Sequence, residues 1–211
     1  MTDHFAGDPR TSGERMLAGD AAGGDAAAGT RSGRKNDPER RDRIIAACLD
    51  VIADSGVAGA SHRRIADAAG VPLGSMTYHF DGIDELLHEA FTRFSHTVSE
   101  RFEQRMAAAT DLESARAAVV AIIHEDVFGD GREPVLSHEL YTLAARKPAY
   151  RALTTAWMRR SRTALERHFD PETARLLDAM IEGVSIHRAL DEEPRDPAEV
   201  AEAVARITAA R

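Results

Sequence analysis

Cysteine is nearly absent from this chain. Of its 211 residues only Cys48 carries a thiol, which excludes a disulfide framework and any paired-cysteine metal site. Set among Ile44, Ile45, Ala47 and Leu49, Cys48 reads as a small core residue in a reducing compartment, and a cytoplasmic location is expected. Aromatic residues are also scarce, at 5%, with Trp157 the single tryptophan. No apolar run approaches the ~20 residues that span a bilayer, and the N-terminal stretch lacks the hydrophobic segment of a secretory signal. Neither a membrane nor export is therefore expected. There is no alternating apolar–polar run of useful strand length and no internal repeat. Catalytic signatures are missing too: the sequence holds no glycine-rich phosphate loop, no G-x-S-x-G and no H-E-x-x-H. His88, His96, His124, His138, His168 and His187 are scattered. The nearest approach to a zinc-protease helix is HEDVF at 124–128, where Phe128 stands in place of the second histidine. Glu125 and Asp126 within it read as solvated helix charges. No enzyme, no metal and no cofactor is expected.

What is present is alanine, with leucine, glutamate and arginine, a composition that favours helix. The net charge of −8 argues at first against a nucleic-acid partner. Its distribution softens that: residues 31–80 are net positive, whereas 1–30 and 81–211 are net negative. Phosphate binding depends on local charge.

Residues 1–36, rich in Gly, Ala, Asp, Ser and Thr without periodicity, read as a disordered tail. It ends in RSGRK, whose Arg31, Arg34 and Lys35 suit either a solvated linker or an arm that touches DNA. Asp37-Pro38 supplies an N-cap and a first-turn proline. Ile44, Ile45, Cys48, Leu49 and Ile52 follow at helical spacing, and Ser55-Gly56 closes that helix. Ser61 caps a second short helix whose apolar side is Ile65, Ala66 and Ala69. Gly70 turns the chain, and a third helix is expected from about Pro72 to His79. From Asp84 onward longer helices are marked by apolar stripes: Leu87 to Met106, Val119 to Val127, Val135 to Leu143, Leu153 to Phe169, Leu176 to Val184 and Val200 to Ile207. Gly129-Asp130-Gly131, Pro148, Asp170-Pro171 and Asp196-Pro197 punctuate them. The fold class is all-α, with about nine helices.

Two short helices joined by a tight glycine turn make a helix-turn-helix, in which the second helix enters the major groove. That explains why Ser75, Thr77, Tyr78 and His79 crowd into one short segment: they offer donors to phosphates or bases. Val71, Met76 and Phe80 would hold this helix to the first, Ala66 would permit close approach, and Gly74 would leave room for backbone near phosphate. Ser61, at a helix N-terminus, can offer its hydroxyl and backbone N–H to phosphate, and Arg63 can reach a guanine or a phosphate.

The segments RDRIIAACLDVIADSG (41–56), IADAAGVPLGSMTYHF (65–80) and DELLHEAF (84–91) together resemble the N-terminal domain of TetR-type transcriptional regulators. The resemblance implies an all-helical homodimer with a small DNA-binding domain, here 37–83, and a variable ligand-binding and dimerisation domain, here 84–211. Most such proteins repress transcription, and many leave their double-stranded operator when a small molecule binds. Carried over by position, the DNA-facing residues are Ser61, Arg63, Leu73, Gly74, Ser75, Thr77, Tyr78 and His79. Two departures bear on binding. Thr77 stands where a tyrosine is common, and Ile83, with Asp81 and Asp84 nearby, stands where a lysine usually meets a phosphate, which implies either weaker electrostatic binding or compensation from Arg31, Arg34, Lys35, Arg40 and Arg43. Leu73 would meet a thymine methyl. Half-sites about one turn apart (~34–36 Å) require two copies, with 171–190 and 197–210 as candidate dimerisation segments. An apolar effector pocket would draw on Phe91, Phe94, Val98, Ile122, Tyr141, Trp157, Met158 and His187. A ligand between the helices of 84–169 would tilt the helix that follows His79-Phe80. A competing reading is a helical dimer of the same fold that has lost specific DNA reading.

Overall fold

The computed structural model describes residues 39–127, 131–192, 196 and 198–209. The tail expected over 1–36, its basic cluster, Asp37-Pro38, Gly129-Asp130 and Pro197 lie outside the described residues, as does the side chain of Val127. Among the described residues the architecture is all-helical: α1 (Glu39–Gly59), α2 (His62–Ala69), α3 (Gly74–His79), α4 (Ile83–Ala108), α5 (Leu112–Ala121), a π-helical segment (Ile122–Val127), α6 (Arg132–Arg146), α7 (Pro148–Leu165), α8 (Pro171–Leu190) and α9 (Ala198–Ile207). No helix among these residues is long and apolar enough to cross a membrane.

Local chemistry sets the boundaries. In α1 the buried Ile44, Ile45, Cys48 and Ile52 recur every three or four residues, the spacing that puts them on one face. Gly56 interrupts this helix at φ 68°, ψ 172°, so the last three residues form a separate turn after a kink. The α2 N-terminus is capped by Ser61, whose side chain accepts from the Arg64 amide, and its end by Gly70 in the left-handed region at φ 63°. Asp111 and Ser114 form a reciprocal capping box at α5. Asp170 caps α8 by accepting from the Glu172 and Thr173 amides, with Pro171 in the first turn.

Two apolar cores result. The first gathers α1, α2 and α3 with the N-terminal part of α4, most of α6 and the first half of α7: Ile44, Ile52, Ile65, Met76, Phe80, Phe91, Leu140 and Trp157 all belong to it. The second joins the C-terminal part of α4 to α5, the π-helical segment, the end of α7, α8 and α9, through Phe102, Met106, Ile123, Leu165, Leu177 and Val204. Each fully buried side chain of this size stabilises the fold by roughly 1.5–3 kcal/mol. The helix-turn-helix therefore shares its core with α6 and α7. The seam between the cores crosses α4 between Val98 and Phe102, and crosses α7 beyond Trp157.

Candidate nucleic-acid interface

The helix-turn-helix is built from the inside outward. Ile65 and Ala66 bury the inner side of α2, and Met76 with Phe80 anchors α3. Arg41 of α1 lies over the Phe80 ring, 4.8 Å from its centroid, and its guanidinium pairs with the carboxylate of Glu89 on α4. The Val71 amide donates to the Ala66 carbonyl at 3.0 Å, which fixes the turn after Gly70. This framework leaves a short helix with large side chains outside: Tyr78 is 80% and Leu73 54% exposed. A rigid element that exposes two such residues within one short segment marks a contact surface better than scattered apolar exposure does.

Of the residues expected to face DNA, Ser61, Arg63, Leu73, Gly74, Thr77 and Tyr78 are exposed and His79 is half-buried. The Ser61 hydroxyl already accepts from the Arg64 amide at 3.3 Å, and the Thr77 hydroxyl donates to the Gly74 carbonyl at 3.3 Å. The Tyr78 ring meets His79 edge-on at 4.9 Å. Ser75 departs from expectation. It is buried at 8% exposure, because positions 75 and 76 of a six-residue helix share the face that docks on the core, and only a small side chain fits beside Met76. It cannot offer its hydroxyl to a duplex. Ile83 is also partly buried against the first core, while Lys147, arriving from the start of α7, places its ammonium 2.9 Å from Asp84. That ion pair moderates the negative charge at the start of α4 and could not be foreseen from the sequence.

A cavity of about 50 Å³ lies along the seam between the cores, bordered by α4, the π-helical segment, α6, α7 and α8. Four residues expected to line a pocket, Val98, Ile122, Tyr141 and Trp157, do converge there. Tyr141 stacks on Trp157 at 5.9 Å, and Phe94 meets the other side of Trp157 edge-on at 5.8 Å. The other four do not line it. Phe91 is wholly enclosed in the first core, Phe94 borders a separate hollow against α1, Met158 is half-buried elsewhere on α7, and His187 borders a surface pocket between α8 and α9.

The sequence reading missed the charged part of this wall: Arg101, Asp126, Glu133, Asp178 and Glu182. Asp126, expected as a solvated charge, is instead enclosed. Its side chain is 10% exposed, and the Arg105 guanidinium donates to both its carboxylate oxygens at 2.7 Å. Glu125, at 64% side-chain exposure, does face solvent. Arg101 donates to the Glu133 carboxylate and, at 3.3 Å, to the Asp126 carbonyl. Burial pushes the Asp178 carboxyl up to about 6, even though Arg162 lies 3.3 Å away and opposes the shift. Burial also raises Glu182, and the negative charges of Asp178 and Glu133 add to it. The Tyr141 hydroxyl lies beside Glu182 without a hydrogen bond of ordinary geometry, and burial drives its proton affinity up strongly. In chemical terms the lining combines an aromatic stack with four carboxyl groups and one guanidinium. Among the described residues no cluster of three His, Cys, Asp or Glu side chains is placed to hold a metal ion.

The fold and the exposed helix define a helix-turn-helix DNA-binding regulator rather than an enzyme. Residues 44–90 match the model of the bacterial regulatory proteins of the tetR family, and residues 110–210 match that of the tetracyclin repressor-like C-terminal domain. The transcriptional regulator BetI 2 of Chromohalobacter salexigens is 31% identical over 176 residues, which span 77% of this chain and 84% of that one. The chain belongs to the TetR family. Its fold superposes on that of SCO7518 from Streptomyces coelicolor A3(2) with a TM-score of 0.75 and 58% identity, over 82% of this chain and 100% of that one. The multidrug binding protein EbrR, solved with imidazole, aligns at TM-score 0.70 and 35% identity, over 83% of this chain and 98% of that one. EbrR has also been solved with ethidium, with proflavin and with malachite green.

Proposed function

We propose that the protein is a homodimeric repressor which grips an operator through α3 and the N-terminus of α2, and which a lipophilic aromatic cation releases. The observation that carries the effector half of this reading is the excess of carboxylates that line the seam cavity together with an aromatic stack. Asp126, Glu133, Asp178 and Glu182 line the cavity against one lining guanidinium, that of Arg101, while Arg105 and Arg162 pair with Asp126 and Asp178 from outside the lining. A cation over Tyr141 and Trp157 gains from the ring faces and from carboxylates in a setting of low dielectric. EbrR, a structural relative, binds ligands of this kind.

For DNA, the residues proposed to make contact are Ser61, Arg63, Leu73, Gly74, Thr77, Tyr78 and His79, with Ser75 as an internal spacer. For dimerisation, α8 offers an apolar outer stripe. Leu176, Ile186 and Leu190 are exposed, and Ala179 and Gly183 occupy the intervening positions three or four residues apart, where small residues permit close helix approach. The seam matters because a ligand can shift an equilibrium only through different affinity for two states. A cavity between two cores, one of which carries α2 and α3, can provide that difference.

The test is a binding titration on the intergenic DNA beside the protein's own gene. The expected result is a specific complex whose affinity falls steeply with salt and which dissociates on addition of tetraphenylphosphonium, a lipophilic cation that does not intercalate. Absence of any specific complex would favour the competing helical dimer without DNA reading. A complex indifferent to every cation that binds the protein would reject the coupling.

A further inference from the structure

The seam cavity is much smaller than the ligand its chemistry suits. Its volume of about 50 Å³ holds a water molecule or two, against the roughly 300–1,000 Å³ of a site for a drug-sized molecule. An effector can enter only if part of the lining leaves. Phe102 and Trp157 belong to the two cores and are buried. Arg101 differs: 38% of its side chain is exposed, so it can leave without breaking a core.

Its present contacts are incomplete. The guanidinium donates to the Glu133 carboxylate and to the Asp126 carbonyl at 3.3 Å. Its Nε lies 3.7 Å from Asp126 Oδ1, beyond hydrogen-bond reach, and this buried N–H has no acceptor. An unmet buried donor is a standing cost, which lowers the barrier to displacement. There is also somewhere to go. A second hollow of about 260 Å³ lies against α1, bordered by Ile45 and Leu49 and by Arg93 and Arg132, whose charges are paired with Asp42 and Asp50, and both Arg101 and Glu133 border it as well as the cavity. Arg101 is thus part of the partition between the effector cavity and a helix of the DNA-binding head.

We propose that Arg101 is a built-in stand-in for the charge of the effector: a lipophilic aromatic cation binds by taking over the Glu133 carboxylate and expelling the Arg101 guanidinium toward the hollow beside α1. The inference rests on the reading of the seam cavity as an effector site, and it makes Arg101 the residue that sets both affinity and charge selectivity. An uncharged ring system offers Glu133 no replacement cation, so it leaves the pair in place.

The experiment compares ethidium with phenanthridine, the same ring system without the fixed charge, binding to the full chain without DNA. Wild type is measured beside Arg101→Gln, Arg101→Lys, Glu133→Gln and the double variant Arg101→Gln/Glu133→Gln. Arg101→Gln should bind ethidium about tenfold more tightly than wild type, with phenanthridine within about twofold. Arg101→Lys should stay near wild type, and the double variant should lose the gain. Equal or weaker ethidium binding by a folded Arg101→Gln, or an equal gain for both ligands, would overturn the proposal while leaving the effector site standing. If Arg101→Gln does not fold, Glu133→Gln decides. It should weaken ethidium about tenfold and spare phenanthridine, and unchanged ethidium affinity would refute the exchange. Failure of wild type and all variants to bind either ring system would remove the effector-site reading as well.

Discussion

Replacing Gly56 with alanine tests whether the kink in α1 is a designed joint or a tolerated flaw. The backbone there sits at φ 68°, ψ 172°, a region that only glycine enters freely and that costs other residues roughly 1–3 kcal/mol. A Cβ at this position would lie 2.6 Å from Oε1 of Glu139 on α6. Glu139 can swing away, but the same carboxylate accepts from the Val57 amide at 3.2 Å. Retreat strands that partly buried donor, at a cost of about 1 kcal/mol. The loss of chain entropy in the unfolded state offsets about 0.4–1 kcal/mol. The net expectation is a destabilisation of about 2–3 kcal/mol, or a fall in Tm of roughly 5–10 °C for a domain of this size. Urea unfolding followed by Trp157 fluorescence and thermal unfolding by circular dichroism both read it. Glu139→Ala separates the two parts: combined with Gly56→Ala it should cost about 1 kcal/mol less than the sum of the singles, because the Val57 contact can be lost only once. A Gly56→Ala protein within about 0.5 kcal/mol of wild type would refute the reasoning, since both the backbone region and the close contact would then be free of consequence.

Other outcomes follow from burial and charge. Tyr78→Ala and Arg63→Ala should each weaken operator binding by roughly 1–3 kcal/mol with Tm unchanged, whereas Ser75→Ala should leave affinity nearly untouched; a large loss in Ser75→Ala would put that hydroxyl back at the interface. Cys48 is wholly enclosed, and burial raises its thiol to about 12, so a thiol reagent at pH 8 should modify it only as fast as the protein opens, a rate that urea should accelerate in step with unfolding. Asp178 is held at about 6, above the ~3.9 of an unfolded aspartate, so the folded state keeps the proton between those values. Its contribution is therefore present below about pH 4 and lost as pH rises through 6. Glu182, also raised, acts in the same direction, among Tyr141 and Glu133 of α6 and Arg162 of α7. Asp178→Asn should flatten the decline in stability between pH 4 and pH 6 by an amount of order 2 kcal/mol; an identical slope in the two proteins would sink the assignment.

Sequence and structure agree where a local rule acts alone. Ser61 and Gly70 terminate α2 because a hydroxyl cap and a left-handed glycine need no distant partner. Pro148 and Pro171 open α7 and α8 for the same reason. The stripe Leu87, Phe91, Phe94, Val98, Phe102 and Met106 is buried throughout, since a period near 3.6 has one geometric meaning. Reading failed where the neighbour decides. Ser75 and Thr77 are both small hydroxyl residues two positions apart, and only the docking of α3 separates them. Asp178 and Glu182 look like an ordinary solvated helix face, because nothing in a single chain announces that α6 will cover them. The π-helical segment at Ile122–Val127 had no signature in the sequence.

The seam between the two cores does not divide the chain as the matched family segments do. The matched family segments part between residues 90 and 110, yet α4 is one continuous helix from Ile83 to Ala108 and belongs to both cores. Because α4 packs into both cores without a break, any relative motion of the cores would have to repack the seam. Polar contacts cross the seam beside the apolar ones: Arg101 between Glu133 and the Asp126 carbonyl, and Tyr141 beside Glu182. Polar contacts of this kind exchange one partner for another at small net cost, whereas the flanking apolar cores resist deformation. On the proposed reading, a cation site among these contacts would make effector charge the quantity that chooses between packings, and the first core would carry the consequence to α2 and α3.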